Sequence, residues 1–198
     1  MKWVGLTGNL GSGKSTVAKI VRDFGFPVLD ADEAARLALG PGSPILVDVK
    51  KKFGSEVFLA DGSLDRKALG RRVFRSKEDL NWLESKVHPE VQRQIAEKRQ
   101  ALESSGHSVA FYDVPLLFEK GLAKAFDQVI VVTAPAFHRK QRVLSRDGIS
   151  ESDFVQRSLN QWPMEKKEKL ADVVISNDGS VEDLKIKVQD FLKTLVED

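Results

Sequence analysis

Apolar positions along this chain follow two alternating rhythms. Short, nearly continuous apolar runs recur at Trp3-Val4-Gly5-Leu6-Thr7, Pro27-Val28-Leu29-Asp30, Ser108–Val114, Gln128–Thr133 and Val173–Ser176. Such runs read as strands, and Gln128–Thr133, continuously apolar, reads as one buried on both faces. The segments between them change period. Val17, Ile20, Val21 and Phe24 recur at helical spacing over 16–24, and Gly25 supplies the stop. Strands that alternate with helices predict crossover units and a parallel sheet, here of five strands. Ligands on such sheets bind outside the carboxyl ends of the strands.

The interval from Ala31 to Gly106 breaks the alternation. It holds helical stretches and two turn clusters, Gly40-Pro41-Gly42-Ser43-Pro44 and Asp61-Gly62-Ser63, and reads as a helical insertion beside the sheet. Pro89 is expected to end or kink a helix within Glu78–Ser104. Near the C-terminus, Ser180 with Asp183 three residues on has the form of a capping box. Val181, Leu184, Val188 and Leu195 then mark one helix face, expected to pack on the sheet. Ser150 marks another helix start.

Composition narrows the function classes. The 198 residues suit one α/β domain with a sizeable core. A net charge of +2 argues against a dedicated nucleic-acid partner. Without Cys there are no disulfides, thiolate zinc sites or cysteine nucleophiles, and three His make a multi-histidine metal site unexpected. No apolar run is long enough to span a bilayer and no signal pattern opens the chain, so a cytoplasmic location without membrane attachment is expected.

Candidate chemistry begins at the end of the first strand. Gly8-Asn9-Leu10-Gly11-Ser12-Gly13-Lys14-Ser15 fits G-x-x-x-x-G-K-[ST], and Thr16 follows. Such a loop turns backbone N–H groups onto phosphate oxygens, and the next helix adds the positive end of its dipole. Lys14 can reach the outer phosphates, and the Ser15 hydroxyl can ligate Mg²⁺. Asp30 and Asp32 follow the second strand. They read either as competing helix caps or as a carboxylate that orients an acceptor hydroxyl and takes its proton. Asp113 ends the third strand, where a magnesium-positioning carboxylate can sit, and Pro115-Leu116-Leu117-Phe118-Glu119 form an apolar turn closed by an acid. Arg139, Arg142 and Arg146 share one helical face, either a solvated basic surface or a lid over transferring phosphates, which Arg157 could join. Trp3, Trp82 and Trp162 read as packing residues.

Taken in order, these segments resemble the dephospho-CoA kinase family along nearly the whole chain. The likeness is carried by Gly11–Thr16, Asp30-Ala31-Asp32 with Arg36, Pro41-Gly42, Phe53-Gly54, Asp61–Arg66, His88-Pro89 and Asp113–Glu119. Arg142, Arg146-Asp147, Gln161, Lys167, Ala171-Asp172 and Asn177 complete it. The resemblance implies a three-layer P-loop nucleoside/nucleotide-kinase-like fold with a five-stranded parallel sheet, a helical substrate insertion and a lid. It implies one kinase domain, with a core at about 1–30, 107–134 and 171–198, an acceptor-binding region at about 31–106 and a lid at about 135–165. It implies ATP as phosphoryl donor with Mg²⁺, and dephospho-CoA as acceptor through its ribose 3′-hydroxyl. Asp32 is then the general base, with Lys14, Arg142 and Arg146 catalytic. Gly8, Asn9, Leu10, Gly11, Ser12, Gly13, Lys14, Ser15, Thr16, Arg142, Arg146 and Asn177 would hold the nucleotide. Asp32, Arg36, His88, Pro115, Leu116, Leu117 and Glu119 would hold the acceptor, and Ser15 with Asp113 the metal. A monomer or weak homo-oligomer is expected. The chain departs from the family at Asn9, where Gly is usual, and at Arg139, where Gln is frequent. Asn tolerates left-handed backbone, so the loop is expected to survive.

Overall fold

The structure is a computed structural model that describes residues 1–197. In chain order the elements are β1 (Lys2–Gly8), α1 (Lys14–Asp23), β2 (Val28–Asp30), α2 (Ala31–Ala38), α3 (Ile45–Phe53), α4 (Arg66–Val73), α5 (Lys77–Ser104) and β3 (Val109–Asp113). Then come β4 (Gln128–Thr133), α6 (Ala136–Asp147), α7 (Glu151–Leu159), α8 (Met164–Glu168), β5 (Val173–Ser176) and α9 (Val181–Glu197). The chain forms two compact units, Met1–Asp30 with the chain from Leu102 onward, and Ala31–Ala101.

The first unit is built on the five-stranded parallel sheet, in the order β2-β3-β1-β4-β5. From β1 the chain crosses to one edge, and from β3 it crosses to the other side of β1. That reversal opens a crevice at the carboxyl ends of the central strands. Side chains alternate across the sheet. Val4, Leu6, Val109, Phe111, Ile130 and Val132 meet Val17, Ala18, Ile20 and Val21 of α1 and Leu184, Val188, Leu192 and Leu195 of α9. The opposite face stacks Trp3 on Tyr112 and Phe126, at centroid distances of 5.7 and 6.1 Å. Each large apolar side chain buried this way contributes about 1.5–3 kcal/mol.

The caps of α7 and α9 follow the sequence. Ser150 and Asp153 exchange bonds at the start of α7. At α9, Asp183 N–H donates to Ser180 Oγ at 3.1 Å, and Ser180 N–H donates to Asp183 Oδ2 at 2.9 Å. The core-facing stripe of α9 differs in one member. Val181 is 68% exposed, and the stripe is Leu184, Val188, Leu192 and Leu195. Val181 lies in the first turn, where the chain is still arriving from the cap. The Ser180 hydroxyl and N–H hold the Asp183 carboxyl below its ordinary value. A carboxylate depressed in the folded state stabilises above its unfolded pKa and loses that contribution as pH falls through the folded value. The thermal-unfolding deficit of Asp183→Asn is therefore expected to be full at neutral pH and to shrink at an acidic pH below the ordinary carboxylate value of 3.8. An equal offset at both pH values would refute this.

The second unit has its own core of Ala38, Ile45, Val49, Phe53, Val57, Leu69, Val73 and Val87. Trp82 packs edge-on against Phe53 at 5.4 Å. Asp65 caps α4 by accepting from Lys67 and Ala68 N–H, both at 3.0 Å. The Arg66 guanidinium donates to the carbonyls of Arg36 and Leu39 at the end of α2, at 2.8 and 3.2 Å. Helix α5 does not end at Pro89 but runs unbroken through it. Pro89 and Ser85 are exposed, so the carbonyl that loses its donor faces water. Leu80, Leu83 and Val87 before the proline and Val91 after it are anchored in the core, which offsets the local cost.

Candidate active site

The phosphate loop leaves β1 at Gly8 and turns through Asn9–Ser12, where Ser12 N–H donates to Asn9 C=O at 2.9 Å. It enters α1 through Gly13, whose φ of 94° is left-handed. Gly11 also has a left-handed φ, 79°. A Cβ at Gly11 would strike the Arg139 carbonyl, and one at Gly13 would fall on the Asn177 amide. Glycine is required at both positions by backbone and by space. No side chain caps α1 and its first turn holds no acid. The N–H groups that begin a helix have no intrahelical acceptors, so this end suits an anion from outside the chain.

Asn177, just past β5, ties the loop to α6. Its Nδ2 donates to Ser12 C=O at 2.9 Å. Its own carbonyl and Oδ1 accept from Arg142 Nη2 at 3.2 and 3.4 Å. Arg142 Nη1 is buried and, among the described residues, has no hydrogen-bond partner. It lies 3.9 Å from the position a Cβ on Gly13 would take. A buried donor left unpaired is costly. Here it marks where an acceptor foreign to the chain would sit, and phosphate oxygens are the matching chemistry.

Lys14 Nζ is ion-paired with the Asp113 carboxylate, and both side chains are largely buried. Asp113 ends β3, in register with Leu6 of β1 and Asp30 of β2. Ser15 is exposed on the first turn of α1. No group of three or more His, Cys, Asp or Glu suited to a metal occurs among the described residues. A cation here would thus draw on a hydroxyl, one or two carboxylates and ligand oxygens, the donor set Mg²⁺ favours.

The three arginines of α6 part company. Arg142 stands at the loop. Arg139 is half-buried and donates from Nε to Ala134 C=O at 3.2 Å. Burial pushes its pKa down, and Glu165 opposes that. Arg146 is exposed and forks onto Asp147 at 2.6 and 2.9 Å, a contact that raises its own pKa and lowers that of Asp147. Gly148 closes α6 in left-handed conformation, and Lys140 pairs with Glu151 of α7 at 2.7 Å.

Asn9 is not left-handed, since every positive φ among the described residues belongs to Gly. Conformational tolerance is therefore not why this residue serves. Its side chain is buried and donates from Nδ2 to Trp162 C=O at 3.0 Å. Leu10 N–H donates to Gln161 Oε1 at 2.8 Å. Glu119 faces inward too. Its Oε1 accepts from Trp162 N–H at 2.7 Å and pairs with Lys167 Nζ at 2.8 Å. Leu117 is fully buried against Gly5, so its side chain lines no cleft. Pro115 and Leu116 are half-buried in the turn after β3. Within the second unit, Asp32 and Arg36 are exposed on α2. His88 is exposed on α5, 3.8 Å from Glu84, a pairing that carries charge only when the imidazole is protonated.

The polar chain of Asn9, Gln161, Trp162, Glu119 and Lys167 was not legible as a unit. Gln161 and Lys167 were visible only as points of resemblance. Lys167 stands among Lys166 and Lys169, and nothing local separates the buried lysine from its solvated neighbours.

Comparison with known proteins gives the family. The family model described as dephospho-CoA kinase matches residues 2–183. A dephospho-CoA kinase of Anaeromyxobacter dehalogenans is 43% identical over 98% of this chain and 92% of its own length. The crystal structure of TT1252 from Thermus thermophilus aligns with a TM-score of 0.85 at 40% identity, covering 98% of this chain and 97% of that one. Dephospho-CoA kinase from Campylobacter jejuni aligns with a TM-score of 0.75 at 30% identity, covering 98% and 96%. With a phosphate loop, a parallel sheet of matching form and these likenesses over nearly its full length, the chain belongs to the dephospho-CoA kinase family.

Proposed function

We propose that this chain transfers the γ-phosphoryl group of ATP to the ribose 3′-hydroxyl of 3′-dephospho-CoA, giving coenzyme A and ADP. The observation that carries the donor half is the unpaired Arg142 Nη1 beside the uncapped start of α1. The loop N–H groups hold the phosphates, and Lys14 exchanges its contact with Asp113 for the outer phosphate oxygens. Mg²⁺, held by the Ser15 hydroxyl with Asp113 nearby, would neutralise phosphate charge. Asp32 aims the acceptor hydroxyl and takes its proton. The helical unit, with Arg36 and His88, carries the acceptor. Residues 135–165 form the lid, which excludes water as a competing acceptor. No described helix is long and apolar enough to cross a membrane, and the reading places the enzyme in the cytoplasm with small-molecule substrates.

The test is formation of coenzyme A from dephospho-CoA and ATP by the purified chain, followed by ADP release and product identity. Turnover only with another hydroxyl acceptor would overturn the reading. The lid is tested separately. Arg142→Lys keeps the charge but loses the planar fork, and kcat is expected to fall roughly tenfold or more. Arg146→Lys should cost less, because its fork is engaged by Asp147. Hydrogen exchange across residues 134–160 should slow when an ATP analogue and dephospho-CoA bind together. Unchanged exchange with normal turnover in both variants would reduce these arginines to a basic surface.

A further inference from the structure

We propose that the buried Glu119–Lys167 ion pair is a positioning unit for the phosphate loop, acting through Gln161 and Trp162 on Asn9 and Leu10. The inference rests on the reading that this loop holds ATP. The contacts form one chain inside the first compact unit. Lys167 Nζ meets Glu119 Oε1 at 2.8 Å, with the lysine side chain wholly buried. The same Oε1 accepts the Trp162 N–H at 2.7 Å, which fixes the main chain at 161–162. From that segment two bonds reach the loop: Asn9 Nδ2 to Trp162 C=O at 3.0 Å, and Leu10 N–H to Gln161 Oε1 at 2.8 Å. Lys166 lies over the Trp162 ring at 3.3 Å and holds the segment from outside.

Stability alone does not account for this arrangement. A buried ion pair is a poor stabilising device, since apolar residues of similar volume often serve as well or better. Burial pushes the Lys167 pKa down against the opposing pull of Glu119, so the fold bears a desolvation cost here. The hydrogen bond on the pair holds the 161–162 segment, and that segment bonds in turn to the loop. Asn9 and Leu10 lead directly into the stretch that carries the N–H groups of Gly11, Gly13 and Lys14, and Asn9 C=O accepts the Ser12 N–H at 2.9 Å. In an anion site of this kind small misplacements of donors weaken binding, because the donors must point at one set of oxygens. Glu119, Lys167 and Gln161 are thus positioning residues for the donor, with no required contact to it.

Removing one member of the pair strands the other as a buried charge, so the test uses the double variant Glu119→Gln/Lys167→Met, together with Gln161→Leu alone. Thermal unfolding, ATP affinity by calorimetry and the separate KM values for ATP and dephospho-CoA are measured in the full chain. Gln161→Leu removes one neutral hydrogen bond to the loop and should weaken ATP binding by about 3–10-fold at unchanged unfolding temperature. The double variant, where it folds, should lose ATP affinity by about tenfold, and in Gln161→Leu the KM for dephospho-CoA should stay within about twofold of the parent. Parental ATP affinity in Gln161→Leu overturns the proposal, whether or not the double variant folds. So does a rise in both KM values together. ATP binding is read without the acceptor. A parent chain that binds ATP yet makes no coenzyme A would therefore sink the assigned reaction and leave this test decisive.

Discussion

Lys14→Ala is expected to lower kcat by roughly 10³-fold or more, while ATP still binds to the loop N–H groups. As γ-phosphoryl transfer proceeds, charge moves onto oxygens that Lys14 alone in the loop can meet with a full positive charge. The ion pair between Lys14 and Asp113 adds a second consequence. Asp113 is 3% exposed, so the alanine variant leaves a buried carboxylate without this partner. Breaking a buried pair from one side costs about 3–5 kcal/mol. Lys14→Ala should therefore also unfold at lower temperature, and an inactive protein could be blamed on its fold. Lys14→Ala with Asp113→Asn separates the two effects. It should recover much of the unfolding temperature, because no buried charge remains, and recover none of the turnover. Near-parental kcat in either variant would remove the donor role from this loop.

What was legible in the sequence, and what was not, divides by distance along the chain. The strands were readable because a buried strand is written in adjacent residues, as in Gln128–Thr133. The caps at Ser150 and Ser180 were readable because both partners lie within four residues. The phosphate loop was readable because its glycines answer local demands of φ and space at Gly11 and Gly13. Asn9 shows the limit. Its neighbours suggest a backbone role, but its partner Trp162 is 153 positions away and no periodicity links them. Lys14 and Asp113 are 99 positions apart, and local sequence points each of them to a ligand and neither to the other. Pro89 does not end its helix, for a related reason. Residues of α5 on both sides of it belong to one core cluster with Val49 of α3 and Leu69 of α4, outside any local window. Helical spacing places Arg146 with Arg142, yet Asp147, the adjacent residue, holds it. Spacing gives the face of a helix, while the partner chosen depends on which groups approach that face.

Asp32→Asn is expected to reduce kcat by roughly 10²–10⁴-fold, the usual span for a general base. The KM for ATP should stay within about twofold, since Asp32 is assigned to the acceptor and not the donor. Asp32 lies in the first turn of α2, which starts directly after β2, and its side chain is exposed. Two roles compete at such a position. As a first-turn acid it would serve the helix dipole, worth about 0.3–1 kcal/mol. As the acceptor's carboxylate it would aim the ribose hydroxyl and remove its proton. Asn keeps the shape and loses the charge, so the dipole role predicts a small fall in unfolding temperature and full turnover. The base role predicts lost turnover on top of that small fall. Asp32→Glu sharpens the distinction. It restores the charge to the helix turn but moves the carboxylate outward by one methylene, so stability should return while kcat stays depressed. In a loose transition state the attacking oxygen must be in line before much bonding begins, so misplacement of the carboxylate harms the rate almost as much as its loss. Asp30→Asn is the control, because Asp30 ends β2 in register with Asp113 and belongs to the sheet unit. If Asp30→Asn is the variant that loses turnover and Asp32→Asn is not, the proton is taken by the last residue of β2 and not by the first turn of α2.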